Sequence, residues 1–227
     1  LHQKEKNTDW STEIKERVFH SFHRVPITVE ELQLKETTGT HQRVIDMVAH
    51  ELITKERIEE WKELPGVAPG VDISRDIVKL AAIERHKNTS HVGLGFLGKY
   101  GLKRGAVATS IGHDSHNLVI AGVTDEDMVL AGNRVIENGG GLAIALEGKV
   151  LADLPLPIGG LMADEPVEVV DEKLEHMKKL SVELGISEDI DAFMTLAFIS
   201  LPVIPKLRLN TYGVVDVEKH QVVEARF

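Results

Sequence analysis

Apolar residues are thinly spread over the first forty positions and then gather into short runs. Val44, Ile45, Met47 and Val48, followed by Leu52 and Ile53, form two stretches of strand-like composition that pair as a hairpin through His50-Glu51. Turn chemistry at Pro65-Gly66 and Pro69-Gly70 follows. The next run, residues 76–86, fits two periods. Ile77, Leu80 and Ala81 recur at helical steps, while Ile77, Val78 and Ile83 bring β-branching, and strand is the preferred reading.

The middle third differs in kind. Fourteen of the 19 glycines fall between Gly93 and Gly160, interleaved with apolar runs, which signals closely packed backbone, tight turns and short buried strands. Two such strands, starting at Gly105 and Leu118, bracket the polar sequence Gly112-His-Asp-Ser-His-Asn117. Thr124 then caps an acidic helix start, Asp125-Glu-Asp, and Gly139-Gly-Gly stops the helix. Leu142 to Leu146 and Val150 to Leu154 flank Glu147-Gly148-Lys149 as a hairpin.

In the last third, Asp164-Glu-Pro opens a helix with proline in its first turn. Val167, Val170, Leu174, Met177 and Leu180 give that helix one apolar face, ending near Gly185. Residues 192–201 are apolar on every side, a buried helix ended by Pro202, and short strands at Gly213 and Val222-Val223 close the chain. The pattern predicts an α+β fold: a mixed, glycine-rich central sheet built on residues 105–154, with helices near 125–138 and 166–184 packed on it.

Residues 1–36 are dense in charge and read as a connecting arm, with 37–227 as one domain. Leader-like polar sequence ahead of any core signal suggests a piece of something longer, a trimmed chain being the alternative. The net charge of −10 and the scatter of basic residues among acids argue against nucleic-acid binding. A small neutral or cationic ligand fits better. No apolar run reaches the ~18 residues that span a bilayer, and the absence of cysteine is compatible with a reducing compartment, so a cytoplasmic protein is expected.

Gly93-Leu-Gly-Phe-Leu-Gly98 matches the G-x-G-x-x-G string of dinucleotide-binding folds, with Asp114 standing where a ribose-binding acid would come. The spacing defeats it, because no strand immediately precedes Gly93 and no helix fits between Gly98 and the run at Gly105. These are packing glycines. His113-Asp114-Ser115-His116-Asn117 is the densest polar cluster. Its imidazoles could ligate metal or shuttle protons, and Asp114 could orient a ring. In an extended segment neighbours alternate sides, so the two His and the Asp cannot all face one ion, and a hydrogen-bonded structural turn is the competing reading. His20, His23, His86 and His91 read as surface or loop residues. No H-x-H, H-E-x-x-H, G-x-S-x-G or Walker loop is present.

As whole phrases, Ile83-Glu-Arg-His86, Gly93-Leu-Gly-Phe96, Gly101-Leu-Lys-Arg-Gly-Ala106, His113-Asp-Ser-His-Asn117, Thr124-Asp-Glu-Asp-Met128, Asn133-Arg134, Leu154-Pro-Leu-Pro-Ile158, Phe193-Met-Thr-Leu196 and Leu201-Pro-Val-Ile-Pro205 resemble, in order and spacing, bacterial and archaeal adenine deaminases of the amidohydrolase superfamily. The phrases belong to that family's C-terminal domain, and the resemblance covers about residues 24 to 227. It implies a metal-bearing β/α barrel elsewhere in the enzyme, absent from this chain, and hydrolysis of adenine to hypoxanthine and ammonia. It also implies a divalent metal, manganese or iron, held in the missing barrel, and a homo-oligomer. No metal ligand is assigned in this chain.

Three hypotheses follow. The chain is an accessory domain whose polar loop borders the barrel active site, with His113, Asp114 and His116 as catalytic candidates and Ser115 and Asn117 as substrate-binding candidates. Alternatively it is a structural or oligomerisation module with no substrate of its own. A third reading, an autonomous metal-dependent hydrolase on His113, His116 and a distant carboxylate, lacks a second ligand pair. Exposure of the loop favours the first; burial with every polar group paired favours the second.

Overall fold

A strand whose side chains are buried on both faces needs cover on both, and the third strand of this chain is such a strand. The computed structural model describes residues 11–34 and 38–227. In chain order the elements are α1 (Thr12–Phe19), β1 (His41–Met47), β2 (Thr54–Glu60), β3 (Ile77–Ile83), β4 (Val92–Gly98), β5 (Ala106–Thr109), β6 (Leu118–Gly122), α2 (Asp125–Glu137), β7 (Gly141–Leu146), β8 (Lys149–Pro155), α3 (Val167–Glu183), α4 (Ala192–Ile199), β9 (Leu207–Asn210), β10 (Gly213–Asp216) and β11 (Gln221–Val223). Eight strands form one sheet in the order β2-β1-β4-β3-β6-β5-β7-β8, and β11-β10-β9 form a second. Only the β1–β4 pairing is parallel, so the large sheet is mixed. The α+β expectation holds, and the described residues contain no β/α barrel.

Alternation along the strands sorts two cores. Ala81, Ile83, Ala106, Ala108, Leu118, Ile120, Ala143 and Ala145 point to the face that receives Met128, Ala131 and Val135 of α2. Leu80, Ala82, Val107, Val119, Leu142 and Ile144 point to the other, where α3, α4 and the small sheet supply Met177, Leu196, Leu209 and Val214. Residues 105–154 thus make half of a larger sheet. Within the stretch expected to be an arm, Ile27 and Leu32 join the α2 core, and Asn133 holds Ile27 through its backbone N–H at 2.8 Å and its carbonyl at 3.1 Å. Residues 1–10 and 35–36 of that stretch lie outside the described residues.

Several elements form where the pattern predicted them. Thr124 Oγ1 accepts from the Asp127 N–H at the start of α2, and Asp191 accepts from Phe193 and Met194 at the start of α4. Glu147 and Gly148 both take positive φ, at 50° and 74°, closing the β7–β8 hairpin.

Others differ for physical reasons. The second strand of the first hairpin begins at Thr54, leaving Leu52 and Ile53 in the exposed turn. Its charged sequence is held by pairs: Arg57 Nε lies 2.9 Å from Asp46, and Arg43 Nε 2.9 Å from Glu56. As a sheet edge, it gains from charge that discourages further pairing. Pro166 stands one residue before α3 instead of within its first turn. Helix α4 is not buried all round, since Met194 is exposed.

Gly93, Gly95 and Gly98 lie inside β4 itself. A Cβ at Gly93 would come within 1.8 Å of the Asn210 carbonyl oxygen, so the small sheet can lie on β4 only where that side chain is missing.

A buried ionic contact crosses the sheet–helix layer. Lys79, mid-strand in β3 and 1% exposed, places Nζ 2.6 Å from Asp125 Oδ1 at the start of α2, and Gln33 Nε2 donates to the other oxygen at 2.8 Å. Burial lowers the Lys79 pKa and the Asp125 charge opposes that shift. Removing one partner of such a pair costs about 3–5 kcal/mol, whereas replacing both by apolar groups is far milder. Asp125→Ala is therefore expected to destabilise the chain by that amount in denaturant unfolding, and Lys79→Met combined with Asp125→Ala to recover most of it. A single variant as stable as wild type would refute this account.

Candidate functional site

A polar loop between two buried strands must emerge at a sheet end, and residues 112–117 do so between β5 and β6. Gly112 and Asn117 are buried, His113 and His116 half-buried, and Asp114 and Ser115 exposed. Backbone bonds fix the path. The His113 N–H donates to the Ala197 carbonyl at 2.8 Å, and the His116 N–H donates to the Gly112 carbonyl at 2.5 Å. Ser200 Oγ, just past α4, donates to the His113 carbonyl at 3.2 Å. His116 takes φ 48°, a left-handed conformation that L-residues seldom adopt.

The rings are placed with equal economy. His113 lies on Phe198 with ring centroids 4.7 Å apart, and His116 stands 6.0 Å from His113. Burial, then the positive potential of His113 and Arg85, pushes the His116 pKa below the ordinary histidine value, so it is a neutral imidazole at pH 7. Its Nδ1 and the Asn117 Oδ1 have no hydrogen-bond partner. A purely structural turn would pair such buried atoms.

Arg85, which the sequence reading passed over, organises the loop. It follows β3, is almost fully buried, and its guanidinium is held by neutral acceptors: Nε donates to the His116 carbonyl at 2.5 Å, Nη2 to the Gly159 carbonyl at 3.0 Å, and Nη1 to the carbonyl and hydroxyl of Ser21, both at 3.4 Å. The ring of Phe22 stands 4.9 Å beneath it. Desolvation lowers its pKa, opposed by Glu84. His86 Nε2 lies 2.7 Å from the Ser115 carbonyl. Arg85 and His86 thus hold the adjacent carbonyls of His116 and Ser115 in the second half of the loop, while Ala197 and Ser200 hold its start at His113. Only the position of Arg85 and His86 beside a buried strand end could have pointed to them.

Glu84 shapes the segment carrying both. Its carboxylate accepts from the N–H groups of His86, Lys87 and Thr89 at 2.6, 2.9 and 2.9 Å, and from the Thr89 hydroxyl at 2.9 Å. Burial pushes its pKa up, but those donors outweigh it and hold the carboxyl at about 2.

The structure brings all five candidates onto one loop but does not gather His113, His116 and a carboxylate into a metal-holding group. Among the described residues no three His, Asp or Glu side chains form one. A groove of about 740 Å³, lined by His91, Tyr212 and Arg226 among others, lies elsewhere, and no residue of the loop lines it.

Comparison with known proteins places these observations. The family model described as "Adenine deaminase C-terminal domain" matches residues 51–221. Adenine deaminase of Kosmotoga olearia is 48% identical over 185 residues, covering 82% of this chain and 32% of that protein. Adenine deaminase 2 of Carboxydothermus hydrogenoformans is 46% identical over 181 residues, covering 80% and 32%. Adenine deaminase of Bacillus pumilus is 38% identical over 204 residues, covering 90% and 35%. The chain spans about a third of the length of the curated relatives it matches. No described helix is long and apolar enough to cross a membrane.

The Glu84 carboxylate yields a pH test. Its folded-state value of about 2 lies below the ordinary carboxylate value of 4.5, so its stabilisation is present above pH 4.5 and is lost as pH falls toward 2. Glu84→Gln is expected to lower stability at pH 7 by about 1–3 kcal/mol, as for lost hydrogen bonds to a charged group. The gap between variant and wild type should close over that acid window in thermal melts. Equal stability at pH 7 would exclude the role.

Proposed function

The chain belongs to the adenine deaminase C-terminal domain family, and from that premise we propose that the intact protein hydrolyses adenine to hypoxanthine and ammonia. The observation that carries this is the family match over residues 51–221, together with identities of 38–48% to proteins named adenine deaminase. On this reading the chain is the C-terminal domain, packed against an N-terminal amidohydrolase barrel in a cytoplasmic homo-oligomer.

The family resemblance implies manganese or iron. The described residues of this chain offer no set of His, Asp or Glu side chains that fits such an ion. Its ligands belong, on this reading, to the barrel.

Loop 113–117 meets the barrel mouth. A neutral, flat purine is recognised by donors and acceptors more than by charge. Asp114 and Ser115 present an acceptor and a hydroxyl to solvent. The neutral His116 ring and the Asn117 amide each carry a buried polar atom without a partner among the described residues. Arg85 and His86 set the loop's position through backbone carbonyls and act as positioning residues. The competing reading, a structural module with no substrate, draws on the same carbonyl contacts that pin the loop.

The two readings separate in the full-length enzyme. His116→Ala is expected to reduce adenine turnover by about 10²–10⁴-fold, the range of a lost acid/base or positioning group, with little change in melting temperature. Wild-type turnover in a well-folded His113→Ala, His116→Ala double variant would remove the loop from the active site. A melting temperature lowered with turnover preserved would establish the structural reading.

A further inference from the structure

Arg208, in β9, is a buried cation with no counter-charge among the described residues. Its residue is 1% exposed. Nη1 donates to the Leu207 carbonyl at 2.9 Å, Nη2 donates to the Leu52 carbonyl, and the Nε–H has no acceptor. Burial alone pushes its pKa down to about 10, so it stays charged at neutral pH with no carboxylate raising it again. A lone charge out of water is costly unless something answers it.

Space for an answer exists beside it. Arg208 lines a cavity of about 170 Å³ whose other walls include Met47, Leu52, Met194, Phe198 and Ile199. The mouth is open, with Leu52 52% and Met194 48% exposed. Glu51 also borders the cavity, yet it makes no ion pair with Arg208. The Thr54 hydroxyl is already committed, donating to the Leu207 carbonyl at 2.8 Å.

Shape and charge together define the occupant. The volume is about half the ~300 Å³ at which drug-sized sites begin, so the occupant is small. Apolar walls favour a hydrocarbon or a single ring, and one guanidinium with spare donors favours a carboxylate. A phosphate would bring more charge and hydration than one cation on apolar walls can replace. A neutral base would leave the charge unanswered. We propose that this cavity binds a small apolar monocarboxylate, its carboxylate on Arg208 and its apolar body against Met47, Met194, Phe198 and Ile199. The site shares no residue with loop 113–117, although its wall residue Phe198 also packs against His113, and the proposal does not rest on the deamination reading.

The test uses the 227-residue chain with sodium benzoate and sodium isovalerate as probes, and benzamide and isovaleramide as neutral counterparts at matched ionic strength. Among the five methionines, the methyl resonances of Met47 and Met194 should shift saturably with the carboxylates and not with the amides, and the melting temperature should rise. Arg208→Met should weaken carboxylate binding about ten- to hundredfold, as for a lost charged hydrogen bond. Met194→Trp, at the exposed rim, should block the mouth while keeping Arg208, so the proposal is tested even where Arg208→Met does not fold. It is overturned by an equal response to the amides, by the same shifts from chloride alone, by binding that persists in Arg208→Met or in Met194→Trp, or by no saturable response to either probe.

Discussion

Lys79 stands in the middle of the large sheet with its ammonium out of water, and one whole face is arranged around answering it. An unpaired ammonium there would oppose folding more strongly than one apolar side chain could offset. Asp125 answers it from the first turn of α2, where a carboxylate is also favoured by the helix dipole. Gln33 donates to the same carboxylate, which draws in residues 30–34 and places Leu32 in the core. Sheet, helix and N-terminal segment therefore close on a single carboxyl group. This contact fixes register as well as energy, because shifting β3 by one residue would turn Lys79 toward the opposite core.

Lys79, Arg85 and Arg208 are all buried cations in a chain of net charge −10, yet they are answered differently. Lys79 has a carboxylate. Arg85 has carbonyls of the two loops it holds together, with an aromatic ring beneath, a set of dipoles spread around a planar fork. Arg208 has two carbonyls and an orphaned Nε–H, and its residue lines an open cavity. The series runs from closed to open. A guanidinium tolerates the intermediate case better than an ammonium, because its charge is delocalised and more weakly hydrated.

What was legible in the sequence was local. Thr124 before three acids, Glu147-Gly148 between apolar runs, and a polar knot between β5 and β6 each carry their cause within a few residues, and each stands where the pattern put it. The first hairpin was half legible. Leu52 and Ile53 looked like a strand because they are apolar, whereas β2 owes its place to ion pairs with β1 that no period along the chain displays. The loop at 113–117 could be read as a polar cluster, but the residues that pin it, Arg85 and His86, are about thirty positions away in the chain. Nor could β9 be anticipated: Leu207-Arg-Leu-Asn210 is too short and too polar to announce a strand, and its reason for existing is the surface of β4.

That surface shows why the same glycine string serves two unrelated purposes. In a dinucleotide-binding turn, glycines let a backbone approach a pyrophosphate. Within β4 they let a backbone approach another backbone. Gly93 lies under the Asn210 carbonyl, Gly95 under Val214 and Leu209, and Gly98 beside the carboxylate of Asp46. Each missing side chain removes apolar area from β4, a cost in its own right. Stacking the small sheet directly on the large one recovers that area through Leu207, Leu209 and Val214, all buried in the shared core. The string thus codes for proximity, and the chain on either side decides what is brought near: a helix start makes the neighbour a phosphate, a continuing strand makes it another sheet.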